Sequence, residues 1–336
     1  MTWAGLALIA APVSGLWSRL PWRGLAAIPL LVLVLMLGGC AGVGLRDVDP
    51  AAIGPAATEP VAVRLDVPFV AGDDGHCGPA ALASVLRWSG ASAEPGELAP
   101  HLLTPARGGT LEHDLVGVAR ASGRLAVPVE GVEPVLREVA AGHPVIVLQN
   151  LGLSWYPQWH YAVITGFDLE GRTIVLHSGP DAHRRMALNT FRQTFERAGE
   201  RGLVVLPPDR LPASAGREAV LRAAAGLERA ERPAAALQAY DALLQRWPET
   251  PAAHFGIGNA QLALGGLERS AEAFRRAANA DSLAAPALNN LAHVSMLRGD
   301  LDAAEALAEA ALARGGAGRV AAAATLEEVR AARGPG

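Results

Sequence analysis

The chain has 336 residues, with 29 Lys plus Arg against 33 Asp plus Glu, a net charge of −4, and every one of its basic residues is Arg. Those arginines are scattered among acidic residues, so there is no basic stripe of the kind nucleic acid requires, and no Gly-x4-Gly-Lys-Ser/Thr loop exists to cradle a nucleotide phosphate. With only two cysteines, a disulfide-built scaffold and a paired-cysteine zinc site are both excluded.

At the N-terminus, Arg19 and Arg23 precede an apolar run from Leu25 to Leu37, followed by Leu37-Gly38-Gly39-Cys40. That order is a positive region, an apolar region and small residues before a cleavage point. It resembles the lipobox of bacterial lipoproteins. The resemblance implies loss of residues 1–39 as a signal peptide and lipidation of Cys40. The membrane partner would then be reached through a lipid anchor and not through a spanning helix. Ala41, where an Asp would favour inner-membrane retention, leans towards the periplasmic face of the outer membrane. Residues 40–60 read as the lipidated terminus and a Pro- and Ala-rich linker. Once Cys40 is acylated, Cys77 has no disulfide partner and is a free thiol.

Residues 61–208 read as one domain. Val61 to Phe69 predicts a strand, and Gly72 to Gly75 a turn into a helix that starts at Cys77 and runs to about Trp88. A thiol on the first residue of a helix faces unpaired N–H groups and the positive end of the dipole, both of which favour negative charge on sulfur. Gly78 is read as a position where a substrate backbone can approach, and Pro79 suits the first turn because its missing N–H is no loss there. Thr110 is expected to cap a second helix that stops at Gly123, and a third runs from Pro134 to Ala141. Strands follow at Val145 to Leu148, His160 to Gly166, Thr173 to His177 and Leu203 to Leu206, with a hairpin turn at 168–171. Helices first and antiparallel strands afterwards is an α+β order. His160 opens an alternating, half-buried strand, and Cys before His is the order of a cysteine nucleophile and its base.

Val67-Pro68-Phe69, His76-Cys77-Gly78-Pro79-Ala80-Ala81-Leu82, Gly109-Thr110-Leu111, Gly142-His143-Pro144-Val145-Ile146-Val147-Leu148 and His160-Tyr161-Ala162-Val163-Ile164-Thr165-Gly166-Phe167 together resemble the C39 family of papain-like cysteine peptidases in its stand-alone form. The resemblance implies a papain-like fold, a peptide or protein substrate, Cys77 as nucleophile, and His160 as base and then acid. It also marks two departures. The family's oxyanion glutamine falls at Ala71 or Gly72, with Gln149 and Gln158 as the other amides nearby. The orienting Asp or Asn falls at Ser178, with Asp181 as the alternative and a turn as that residue's plainer role. His76 is placed to act on the thiol as a partial positive charge. Trp155, Tyr156 and Trp159 are read as lining the substrate cleft. His177 and His183 stand in no metal-binding spacing, so no metal and no cofactor is expected.

After a linker at 209–216, a 34-residue period appears as Tyr240, Phe274 and Ala308, as Ala236, Ser270 and Ala304, and as Gly265 and Gly299. Thirty-four is the tetratricopeptide period of two antiparallel helices per unit. Three repeats are expected from 217 to 314, starting near 217, 251 and 285, with a capping helix within 315–336. The second domain is therefore an all-α solenoid offering a concave surface to a protein partner, with Asn259, Asn289, Asn290 and Arg298 as polar contributors. Three activities stay open on these residues: a peptidase, a peptidase-like scaffold without catalysis, and an acyltransferase or amidase using the same Cys and His pair.

Overall fold

The computed structural model describes residues 61–72, 75–104 and 109–334. The signal-peptide and Cys40 lipidation expectations lie outside the described residues. No described helix is long and apolar enough to cross a membrane.

The first half holds β1 (Ala62–Arg64), α1 (Cys77–Trp88), α2 (Pro95–Leu102), β2 (Leu103–Thr104), β3 (Gly109–Thr110), α3 (Glu112–Ala121), β4 (Leu125–Glu130) and α4 (Val132–Ala140). There follow β5 (Val145–Asn150), β6 (Trp159–Asp168), β7 (Thr173–Ser178), β8 (Asp181–Ala187), α5 (Leu188–Glu196) and β9 (Arg201–Leu206). The strands form an antiparallel sheet in the order β4-β9-β5-β6-β7-β8. β5 covers the first half of β6, from Trp159 to Ile164, and β1 covers the end of the same edge, from Gly166 to Asp168. Gly166 permits that handover, since a Cβ there would lie 2.3 Å from the Val63 carbonyl oxygen.

Period-two alternation divides the core between the two faces. Val145, Val147, Ala162 and Ile164 pack beneath α4 and α5, with Phe191 and Phe195 stacked at 5.1 Å. Ile146, Tyr161 and Val163 pack under α1 and α3. Both faces are covered, so the first four residues of β5, Val145 to Leu148, are an uninterrupted apolar run with no polar alternation.

Several elements differ from expectation. β1 is only Ala62–Arg64, because Leu65 to Gly72 leave the sheet and run across to the end of β7. Thr110 belongs to β3, and Leu111 is the residue that caps α3, without a side-chain bond. α2, β4, β8 and α5 were not foreseen. Prolines at 95 and 100 and Gly96 gave α2 the composition of a loop, yet Pro95 sits at the helix start, where proline is tolerated. β8 carries two arginines, a histidine and an aspartate on an exposed edge, which hid its strand character.

The second half is helical: α6 (Arg217–Arg229), α7 (Pro233–Arg246), α8 (Pro251–Ala263), α9 (Leu267–Ala277), α10 (Asp281–Leu297), α11 (Leu301–Arg314) and α12 (Arg319–Arg333). In chain order, among the described residues, these are the helix pairs α6–α7, α8–α9 and α10–α11, followed by α12. The repeating positions are buried: Ala236, Ser270 and Ala304, and likewise Tyr240, Phe274 and Ala308. A Cβ on Gly258 would lie 2.5 Å from the Phe274 ring; one repeat later the corresponding positions are Ala292 and Ala308, which share a cluster with Leu326, so a glycine and a large ring are replaced by two alanines.

The array is fastened to the sheet. Leu125 and Val127 of β4 share a core with Val220, Ala223, Ala224 and Leu227 of α6. The connecting segment is held as well. Glu138 on α4 is fully buried and accepts from Ser214 N (2.6 Å), Ala213 N (3.0 Å), the Ser214 hydroxyl and His143 Nδ1 (2.8 Å). Arg246 on α7 donates to the Pro212 carbonyl at 2.7 Å. Burial alone would push the Glu138 carboxyl up, but the bonds from His143, Ser214 and Ala213 outweigh it and hold it below the usual carboxylate range.

Candidate active site

Three bonds fix the start of α1 against the end of the sheet. Leu65 N donates to Thr165 O at 2.7 Å, His177 Nε2 donates to Val67 O at 2.9 Å, and Gly72 N donates to Gly179 O at 3.1 Å. His177 also accepts from His183 N through Nδ1, at 3.2 Å, which sets its neutral tautomer; burial lowers its proton affinity in the same sense. His177 is thus a brace for the segment leading to Cys77.

Cys77 is the first residue of α1, half-buried and free. Its sulfur accepts from the Tyr161 backbone N–H at 3.5 Å. The first turn of α1 contains no acidic residue to offset the positive end of the helix. Cys77, His160 and Ser178 line one open cleft of about 1120 Å³, together with His76, Trp159 and Arg184. His160 Nε2 lies 2.9 Å from Ser178 Oγ, and Ser178 is buried. That contact occupies one ring nitrogen and orients the imidazole.

Asp181 lies elsewhere. It opens β8 across the turn from Ser178, more than half exposed, and its carboxylate is 3.8 Å from Arg184. Gly78 is buried and does not reach the cleft: a Cβ there would lie 2.4 Å from Thr110 Oγ1, so its missing side chain makes room for β3 and not for a substrate. Trp155 is 80% exposed at the tip of the β5–β6 hairpin, outside the cleft, whereas Trp159 at the base lines it. Of the two amides near the site, Gln149 is buried beneath α5 and donates to Thr194 Oγ1 at 2.7 Å, while Gln158 belongs to the hairpin. At the oxyanion positions, Ala71 is exposed at the cleft mouth, and Gly72 is packed so closely that a Cβ would lie 2.9 Å from that of Ala80.

The opposite wall was not legible in the sequence. It comes from Pro95, Gly96 and Ala99 of α2, with Arg184 of β8 as a cation on the rim. Chemically the cleft brings together a thiol at a helix terminus, an imidazole oriented by a hydroxyl, and the first N–H of a helix, a type of donor able to meet developing negative charge.

Residues 64–203 match the model of the Peptidase C39 like family, and residues 221–285 and 257–319 match the tetratricopeptide repeat model. No curated protein matches the chain. Among solved structures, a C39-like peptidase from Bacillus anthracis is 18% identical, over 43% of this chain and 97% of that one, with a TM-score of 0.38. A double glycine motif protease from an AMS/PCAT transporter, solved with the leader peptide, is 19% identical over 43% and 93%, with a TM-score of 0.35. The MamA protein is 16% identical over 44% and 72%, with a TM-score of 0.33. This chain carries a C39-like peptidase domain followed by an array of tetratricopeptide repeats.

Proposed function

We propose that the first domain is an active cysteine peptidase, with Cys77 as nucleophile, His160 as base and acid, and Ser178 as the group that orients the histidine. The observation that carries this reading is the shared cleft in which the Ser178 hydroxyl engages His160 Nε2. The imidazole of His160, held by Ser178, takes the proton of the thiol. Sulfur attacks the peptide carbonyl carbon, and the oxyanion is met by the Cys77 N–H. The imidazolium then returns its proton to the amine as the C–N bond breaks, leaving a thioester. Water, deprotonated by the same imidazole, attacks the thioester and releases the carboxylate product and the thiol.

In this reading the repeats hold a protein partner or substrate, and lipidation at Cys40 keeps the enzyme at the bacterial cell envelope. The second reading, a peptidase fold used only for binding, is favoured by one observation: neither Ala71 nor Gly72 supplies a side-chain donor to the oxyanion.

Incubating the full chain and its Cys77→Ala variant with a peptide library, with products weighed by mass spectrometry, tests these readings. Hydrolysis gives fragment pairs whose masses sum to substrate plus one water, absent with the variant. Acyl transfer to an added amine gives a product lacking that water. Peptide retention by both proteins with no product at all would support the binding reading.

A further inference from the structure

Among the described residues of the first domain, most of the exposed large apolar side chains lie on the β5–β6 hairpin. Leu153 is 56% exposed, Trp155 80% and Tyr156 65%. Isolated exposed apolar side chains are ordinary, but three large ones on one tip are not.

The tip is rigid. Leu153 and Tyr156 exchange backbone bonds at 3.1 Å in each direction, and Leu151 N donates to Gln158 O at 2.9 Å. Beneath them the buried Asn150 side chain accepts from Gly152 N and Gln158 N, both at 3.0 Å, and Arg197 donates to the Asn150 carbonyl at 3.0 Å. The apolar residues are therefore displayed in a fixed form and have not simply failed to find a core.

The shape decides between occupants. Leu151 and Trp159, at the base, face the cleft and belong to the site already described. Leu153, Trp155 and Tyr156 line neither the cleft nor its floor, and they protrude. A peptide is recognised by a concavity that surrounds its side chains, whereas a convex apolar tip suits a medium that yields around it. From Leu151 to Trp159 the segment has no charged residue, so nothing on it resists transfer out of water, and Trp and Tyr are the residue types that favour the headgroup boundary of a bilayer. In the proposed function the chain is held to a bilayer at Cys40, and the 40–60 segment spans about 75 Å at most when extended, which keeps the first domain beside that bilayer. A tether of this length raises the local concentration of bilayer seen by a weakly binding tip.

We infer that the Leu153-Ser154-Trp155-Tyr156 tip is a second membrane contact, inserting its apolar side chains at the lipid headgroup boundary and turning the Cys77 cleft, at the base of the same hairpin, towards the bilayer surface. The choice of a bilayer as occupant rests on the proposed anchoring at Cys40, while the contact itself is independent of catalysis.

The test is hydrogen exchange of the full chain, followed by mass spectrometry, with and without vesicles of 7:3 phosphatidylcholine and phosphatidylglycerol. Peptides covering residues 151–159 are expected to exchange about tenfold more slowly on vesicles, while those of β7 and α8 stay unchanged. The double variant Leu153→Ser, Trp155→Ser should lose that protection and keep the alkylation rate of Cys77, which shows the fold intact. Equal exchange of the hairpin with and without vesicles overturns the inference. So does protection already present without vesicles, which would mean that another part of the chain covers the tip, or protection that appears only with added peptide.

Discussion

His160 Nε2 stands 2.9 Å from Ser178 Oγ, so a neutral hydroxyl fills the place where a carboxylate or amide would orient the imidazole. A hydroxyl fixes ring direction but contributes little charge to an imidazolium. Ser178→Ala is therefore expected to lower kcat by roughly 10- to 100-fold, less than the loss when a charged orienter is removed. Ser178→Asn should recover or exceed the parent rate. Steady-state kinetics on one cleaved peptide reads both, and an unchanged kcat in Ser178→Ala would remove Ser178 from the machinery.

The two candidate oxyanion positions make opposite predictions. Ala71 is exposed at the cleft mouth, so Ala71→Gln can add an amide donor and is expected to raise kcat, up to about 10²-fold. Gly72 has Ala80 Cβ 2.9 Å and Cys77 Cα 3.3 Å from where its own Cβ would be. Gly72→Gln should push α1 away, lowering stability by about 1–3 kcal/mol and activity with it. Paired thermal melts and kinetics of the two variants decide whether position 71 is the usable one.

Glu138 ties α4 to Ala213 and Ser214 ahead of the repeats, and its carboxyl is held below the usual range. A lowered folded value means the carboxylate contributes fully above the unfolded value of about 4.3 and loses that contribution as pH falls through the folded value. Glu138→Gln should cost about 1–3 kcal/mol at pH 7, with the gap to the parent narrowing in acid below about pH 4. Urea denaturation at pH 7 and pH 3 measures this. A gap that stays constant with pH would mean the clasp works by shape and not by charge.

Gly258 lies inside α8, where Gly→Ala ordinarily gains about 1 kcal/mol. Here the added methyl meets the buried Phe274 ring, which is itself wedged against Phe255 with ring centroids 5.5 Å apart. Gly258→Ala alone is expected to destabilise by about 1–3 kcal/mol. Combined with Phe274→Leu it should recover part of that loss, as the Ala292 and Ala308 pair does in the next repeat. A double-mutant cycle by thermal melting gives the coupling, and strict additivity would show that the two positions do not share this contact.

Sequence alone determined whatever depends on local chemistry or on a fixed period. Cys77 at a helix start followed by Gly78-Pro79, His160 at the mouth of a strand, and the 34-residue recurrence of Tyr240, Phe274 and Ala308 are all legible because capping, alternation and repetition act over neighbouring residues. What depends on non-local contact was decided only in three dimensions. Ser178, and not Asp181, meets His160 because the β7–β8 turn carries Asp181 out towards Arg184. Gly78 serves the packing of Thr110, from a strand more than thirty residues on, and Gly72 is closed to any side chain by Ala80. α2 and β8, which complete the cleft, carry prolines and charges that obscure their type until the sheet gives them a surface to pack on or pair with. The connection at 213–214 has the composition of a free linker and is fixed only because the fold buries a carboxylate beside it.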